Sequence, residues 1–128
     1  MFPNYKLLTQ DTKMFDFEKL NVYQKAKELN REVLRFLKDN KPIDYYLRDQ
    51  LKRASISIVI NIAEGSGKFS KADKRNFYTT ARGSAYECVS LFELIFEENQ
   101  ITEEIFRDFY QKFEIISKML IRLINSQK

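Results

Sequence analysis

Apolar residues recur at helical spacing along most of this chain. Val22, Ala26, Leu29, Val33 and Phe36 are spaced 4, 3, 4 and 3 apart, which puts them on one stripe of an α-helix. Lys25, Lys27, Glu28, Arg31, Glu32 and Arg35 fill the intervening positions and are expected to face water. The run DNKP at 39–42 closes this first helix, because Pro42 biases Lys41 away from helical backbone. A second stripe, Leu47, Leu51, Ala54, Ile58 and Ile62, predicts a helix over about 43–64. Its second half, ASISIVINIA, is apolar on nearly every side. The β-branched residues there suggest a strand, but the helical period continues from Leu47 and no turn signal divides the halves. Such a helix must be covered on more than one side, by the bundle interior and by another subunit.

Gly65 is read as the C′ residue that ends this helix, a position where left-handed backbone favours glycine. Ser70 then suits the N-cap of a third helix, with Asp73 near the exposed N–H groups of its first turn. Phe77, Ala81, Ser84, Cys88, Leu91 and Ile95 form the stripe of that helix over 71–98. Gly83 lies inside it and costs about 1 kcal/mol relative to alanine, which close backbone approach would offset. Thr102 caps a fourth helix that continues to about 126. Its stripe is Phe106, Phe109, Phe113, Ile116, Leu120 and Leu123, widened by Ile105, Ile115 and Met119. Four long amphipathic helices with short connections predict an all-α, antiparallel, up-down-up-down four-helix bundle over 17–126. Residues 1–16 lack periodicity and contain Pro3, so they read as a tail that is loose or packs on a neighbour.

Composition narrows the chemistry. The 128 residues suffice for one core, and three glycines and two prolines leave little material for hairpins. One cysteine, Cys88, and no histidine exclude an internal disulfide, zinc sites with the usual Cys/His ligands, and Ser-His-Asp or Cys-His catalysis. No apolar run approaches the roughly 20 residues that span a bilayer. The N-terminus shows no signal-peptide layout, so a cytoplasmic location without membrane contact is expected.

The stretch NIAEGSGKFS resembles a phosphate loop only superficially. A Walker A loop needs G-x-x-x-x-G-K-[ST] between a strand and a helix. Here Ile62 occupies the first glycine position, Phe69 follows Lys68, and the preceding element reads as a helix. No cofactor is expected. Asn61 and Glu64 end an apolar helix one turn apart, and buried polar groups of that kind must be paired. Arg82, Gly83, Ser84 and Glu87 return past them on the third helix, and Gln50 and Arg53 lie earlier on the second. An internal polar network that fixes helix register is the first reading. An acid/base pair or half metal site at Glu64 and Glu87 is the alternative.

These same residues carry a family likeness. The segment QLKRASISIVINIAEGSGKFSKADKRNFYTTARGSAYE resembles the four-helix-bundle proteins encoded by intervening sequences in bacterial 23S ribosomal RNA genes. The pattern Q-L-x-R-A falls on Gln50, Leu51, Arg53 and Ala54, and S-I-x-x-N-I-A-E-G falls on Ser57 to Gly65. An aromatic followed by A-x-G-S-x-x-E falls on Phe77, Ala81, Gly83, Ser84 and Glu87. An opening L-x-V-Y-Q-K-A is present from Leu20 to Ala26. Val59 and Ile60 depart from the family, which often has proline and a small residue there. The resemblance covers about 17–125. It implies a homopentameric ring with no established enzyme activity. Similar basic pentameric bundles serve diversity-generating retroelements and bind nucleic acid and a reverse transcriptase, so RNA, DNA or such an enzyme are implied partners by analogy.

Charge adds an argument of its own. Net charge is +4 and the pI is near 9.1, so five copies would multiply a modest excess. Lys68, Lys71, Lys74 and Arg75 cluster at the start of the third helix. An antiparallel bundle sets them at the same end as Lys118, Arg122 and Lys128. Glu93, Glu97, Glu98, Glu103, Glu104 and Asp108 mark the other end, partly diluted by Lys38, Lys41 and Arg48. The expectation is a non-enzymatic, oligomeric protein that binds RNA through its basic end. The rival is a protein–protein adaptor that uses the excess apolar helix surface, and a solvated charged surface without a ligand stays open.

Overall fold

A computed structural model describes residues 15–128, so the expected tail lies almost entirely outside the described residues. A short 3-10 turn, Asp16–Lys19, precedes four helices: α1 (Asn21–Asp39), α2 (Tyr45–Ser66), α3 (Lys71–Glu97) and α4 (Glu103–Asn125). There is no strand among the described residues. The first α-helix begins at Asn21, inside the 17–126 range drawn for the bundle. Leu20 is extended, with φ −81° and ψ 124°, and breaks the 3-10 turn from α1.

The helices follow one another up and down. α2 packs most extensively on α3 and α3 on α4, while α1 lies on α2 and meets α4 along a thinner seam. The stripes form the shared interior: Val33, Leu51, Ile62, Ala81, Cys88, Ile95 and Leu120 are fully buried, as is Leu37 next to the first stripe. Burial pushes the Cys88 thiol well above its ordinary range, so it behaves as a small core hydrophobe rather than a nucleophile. Ile115, which the pattern places on the widened core face of α4, is instead 49% exposed.

Local chemistry closes the helix ends. Asp44 caps α2 by accepting from the Tyr46 and Leu47 amides at 3.0 and 3.4 Å. The Ser70 hydroxyl accepts from Asp73 N at 3.0 Å, and Thr102 accepts from Ile105 N at 3.2 Å. Asn99 takes the left-handed φ of 58° that closes α3, a backbone state asparagine tolerates better than most residues. Arg48 reaches back to the Asn40 and Leu37 carbonyls at 2.8 and 2.6 Å. It therefore satisfies the end of α1 while its positive charge stays at the acidic end.

One reading of the turn is overturned. Gly65 has no positive φ and is not a cap; it lies inside α2, which runs on to Ser66 and ends at Gly67. A Cβ at Gly65 would lie 2.7 Å from Tyr78 Cε1, 2.9 Å from its Cδ1 and 3.0 Å from Phe77 Cβ. The glycine is there because α3 passes too close for any side chain. Gly83 is the opposite case, exposed with nothing within 4 Å of an added Cβ.

Candidate nucleic-acid interface

The end of α2, the start of α3, the start of α1 and the end of α4 meet at one end of the bundle. Two long cations tie this end together. Lys74 Nζ donates to the Ser66 carbonyl at 2.8 Å, satisfying the last turn of α2. Arg75 Nη1 donates to the Gln127 carbonyl and so joins α3 to the close of α4. Both side chains are half-buried. Cations beside the carbonyl ends of helices are favourable for the backbone, and a side chain used in this way is less free to follow a phosphate. The cluster proposed from the sequence is thereby divided.

Lys68, Lys71 and Arg122 stay exposed at this end. Lys68 Nζ lies 4.8 Å from the centroid of the Phe77 ring, which holds its stem against α3. Arg122 borders a recess with Leu20 and Asn21 at the start of α1. Lys118 stands apart. It pairs with Glu114 at 3.9 Å and lines the groove between α3 and α4 together with Arg82 and Tyr110. Asp73 is exposed beside Lys71, so the end is basic but mixed. At the other end Glu93, Glu97, Glu98, Glu103, Glu104 and Asp108 are all exposed, which preserves the axial contrast.

The expected polar network is smaller than the sequence suggested. Ser84 Oγ donates to Ser57 Oγ at 2.8 Å, across the α2–α3 seam. Asn61 Nδ2 donates to the Ser57 carbonyl at 2.8 Å and to Ser57 Oγ at 3.0 Å. Asn61 is therefore satisfied within its own helix, and the link to α3 passes through the two serines. Glu64, Gly83 and Glu87 are exposed on the outer side of this seam, and Gln50 is half-buried. Arg53 pairs with Asp49 on its own helix at 3.0 Å, with its side chain 73% exposed; this exposed hydrogen bond raises the guanidinium's already high pKa.

Arg82 leaves the network altogether. Two residues along a helix turn by about 200°, so Arg82 lies on the α4 side when Ser84 meets α2. Its guanidinium sits 4.7 Å over the Tyr86 ring and donates to Tyr86 Oη at 2.6 Å. Its Nε is buried with no hydrogen-bond partner. The α3–α4 groove it lines has a volume near 500 Å³. Glu64 and Glu87 do not form the enclosed carboxylate pair that acid/base chemistry would use. Among the described residues no group of three or more His, Cys, Asp or Glu is placed to hold a metal ion. None of the helices in the described residues is long and apolar enough to cross a membrane.

Sequence reasoning missed three residues. Tyr78 is buried against Gly65, one position off the stripe drawn through Phe77. Ser57 is the hub of the polar seam, and its i,i+4 spacing from Asn61 was a usable signal. Phe69 is 104% exposed at the tip of the α2–α3 connection. It belongs to no helical stripe, and that is the signal that an aromatic there has no core to enter.

Comparison with known proteins agrees with this architecture. The family model described as 23S rRNA-intervening sequence protein matches residues 18–122. A crystal structure of a protein with unknown function from the S23 ribosomal protein family of Bacteroides thetaiotaomicron has a TM-score of 0.75 and 27% identity. The match covers 80% of this chain and 97% of that one. No curated protein matches the chain.

Proposed function

The chain belongs to the 23S rRNA-intervening sequence protein family, and from that premise we propose that it is a non-enzymatic, self-assembling bundle that binds RNA through its basic end. The observation that carries the reading is the axial division of charge. Lys68, Lys71 and Arg122 project from one end, and the acidic residues crowd the other. A polyanion is attracted to the first and repelled by the second. This role belongs in the cytoplasm, where RNA is abundant. Lys74 and Arg75 hold the end in shape, and Lys118 belongs to a neighbouring groove.

Self-assembly is supported by the outer face of the α2–α3 hairpin. Ile56 and Ile60 are 51% and 47% exposed there. Gly83 is open on the same hairpin, and a solvent-facing glycine inside a helix is otherwise a loss of about 1 kcal/mol. A second copy that approaches α3 closely would explain all three, with the pentamer implied by the family likeness as the expected form. Ring formation would repeat the basic end in each copy. The same exposed isoleucines favour a second reading, an adaptor that docks another protein, with a reverse transcriptase as the analogous partner.

Filter binding of a labelled structured RNA tests the first reading. The triple variant Lys68→Gln, Lys71→Gln, Arg122→Gln should retain markedly less RNA than the parent, with unchanged oligomer mass by light scattering. Equal retention by parent and variant would refute it. A nuclease-insensitive pull-down of one stoichiometric protein would select the adaptor reading.

A further inference from the structure

We propose that Phe69 is a stacking platform for an unpaired nucleobase, so that the basic end takes single-stranded or looped RNA in preference to a continuous duplex. The inference rests on the RNA-binding reading above and names the substrate class of that same end. Phe69 is 104% exposed, the highest value among the large apolar side chains of the described residues. Lys68 precedes it and Lys71 follows two positions on, both exposed, with the Lys68 amine over the Phe77 ring of α3. An aromatic ring in water between two cations matches a nucleotide, with a π-face for the base and positive charge for the phosphates on either side.

The tip is also held in place. Gly67 N donates to the Glu64 carbonyl and Lys68 N to the Gly65 carbonyl, each at 3.1 Å. Ser70 caps α3 on the other side at 3.0 Å. Phe69 is therefore presented from a connection closed at both ends, which lowers the ordering cost of binding. At the same end of the bundle, a recess of about 250 Å³ is bounded by Phe15, Asp16, Phe17, Ala63 and Gly67. The Phe15 ring is 61% exposed there and stacks on Phe17 at 5.7 Å, so a second aromatic surface is available at the same end.

The neighbours argue against other surfaces. Along the chain its near neighbours Ser66, Gly67, Ser70 and Asp73 are small or acidic, and one isolated aromatic side chain does not anchor a protein to a bilayer. A stacked duplex hides its base faces, and opening it costs a few kcal/mol per step, so accessible faces belong to loops and single strands.

Fluorescence anisotropy on the full chain tests this with two labelled probes, a 12-nucleotide unstructured RNA and the same sequence annealed into a duplex. The parent should prefer the single strand. Phe69→Ala should weaken single-strand binding about tenfold, with little change on the duplex and no change in thermal midpoint. Phe69→Tyr should retain binding, because the ring face is kept. The inference is overturned if Phe69→Ala binds the single strand as the parent does while Lys68→Gln with Lys71→Gln weakens it; the RNA reading then survives alone. It is also overturned if both probes lose equally, or if Phe69→Ala loses only binding to vesicles of phosphatidylglycerol and phosphatidylcholine. A parent that binds neither RNA overturns this inference and the RNA reading together.

Discussion

The two ends of the bundle are built from different materials. At the acidic end the interior is aromatic. Phe92 stacks on Phe109 at 4.3 Å, and Phe36 meets both rings at 5.5 and 5.4 Å. Phe96 and Phe106 stack nearby at 5.1 Å, 5° from parallel. At the basic end the α2–α3 seam is close, with the Tyr78 ring packed against Gly65. Gly65, Ser66, Ala81 and Ser84 let α2 and α3 approach, and the aromatic Phe69 is outside, in water. One end puts its rings into the core and its charge into repulsion. The other uses its small residues for backbone proximity and leaves the Phe69 ring, Lys68 and Lys71 exposed. The difference concentrates aromatic packing at one end and, under the proposed function, leaves ligand contact to the other.

The largest expected effect breaks the aromatic end. Phe92→Ala removes the ring that Phe36, Phe109 and Phe113 share and should lower stability by about 3–5 kcal/mol, read as a shift in denaturation midpoint. A loss below about 1 kcal/mol would erase the claimed contrast. Next, Gly65→Val drives a side chain into the buried Tyr78 ring. Overpacking of this kind costs about 1–3 kcal/mol. Gly67→Ala is the control, since its Cβ would meet only the Glu64 carbonyl at an ordinary 3.6 Å. Similar midpoints for the two variants would remove the close approach.

Smaller effects sharpen the picture. Ser84→Ala cuts the hydrogen bond across the α2–α3 seam and should cost about 1 kcal/mol, with Asn61 still bonded to Ser57. Gly83→Ala should have the opposite sign. With open space at its Cβ, it should gain up to about 1 kcal/mol in dissociated chains. If the outer hairpin face joins copies, the same change should weaken assembly in sedimentation. Stabilisation without any loss of assembly would take Gly83 out of the interface.

Much of the fold was legible because core burial repeats every three or four residues. Leu51, Ile58 and Ile62, or Phe109, Phe113 and Leu120, announce their face without any knowledge of a partner. The caps at Ser70 and Thr102 were equally plain, since a side-chain oxygen ahead of a helix has few other uses. Gly65 misled for a physical reason. A glycine that ends a helix and one that admits a neighbouring helix both stand before a break, and only the position of Tyr78 separates them. Arg82 was assigned to the wrong seam because two positions along a helix reverse the direction of a side chain. Lys74 and Arg75 read as surface charge until their carbonyl partners were in place. Such long side chains choose between water and a helix end by geometry that a linear pattern does not carry.

The most direct test of the ligand-contact claim is the salt dependence of RNA binding. The logarithm of the binding constant, plotted against the logarithm of salt concentration, should fall steeply for the parent. Replacing Lys68 and Lys71 with glutamine should make that slope shallower by about one for each phosphate that is no longer neutralised. A slope that stays the same in the double variant, with RNA still bound, would place the binding surface elsewhere and contradict the assignment of this end.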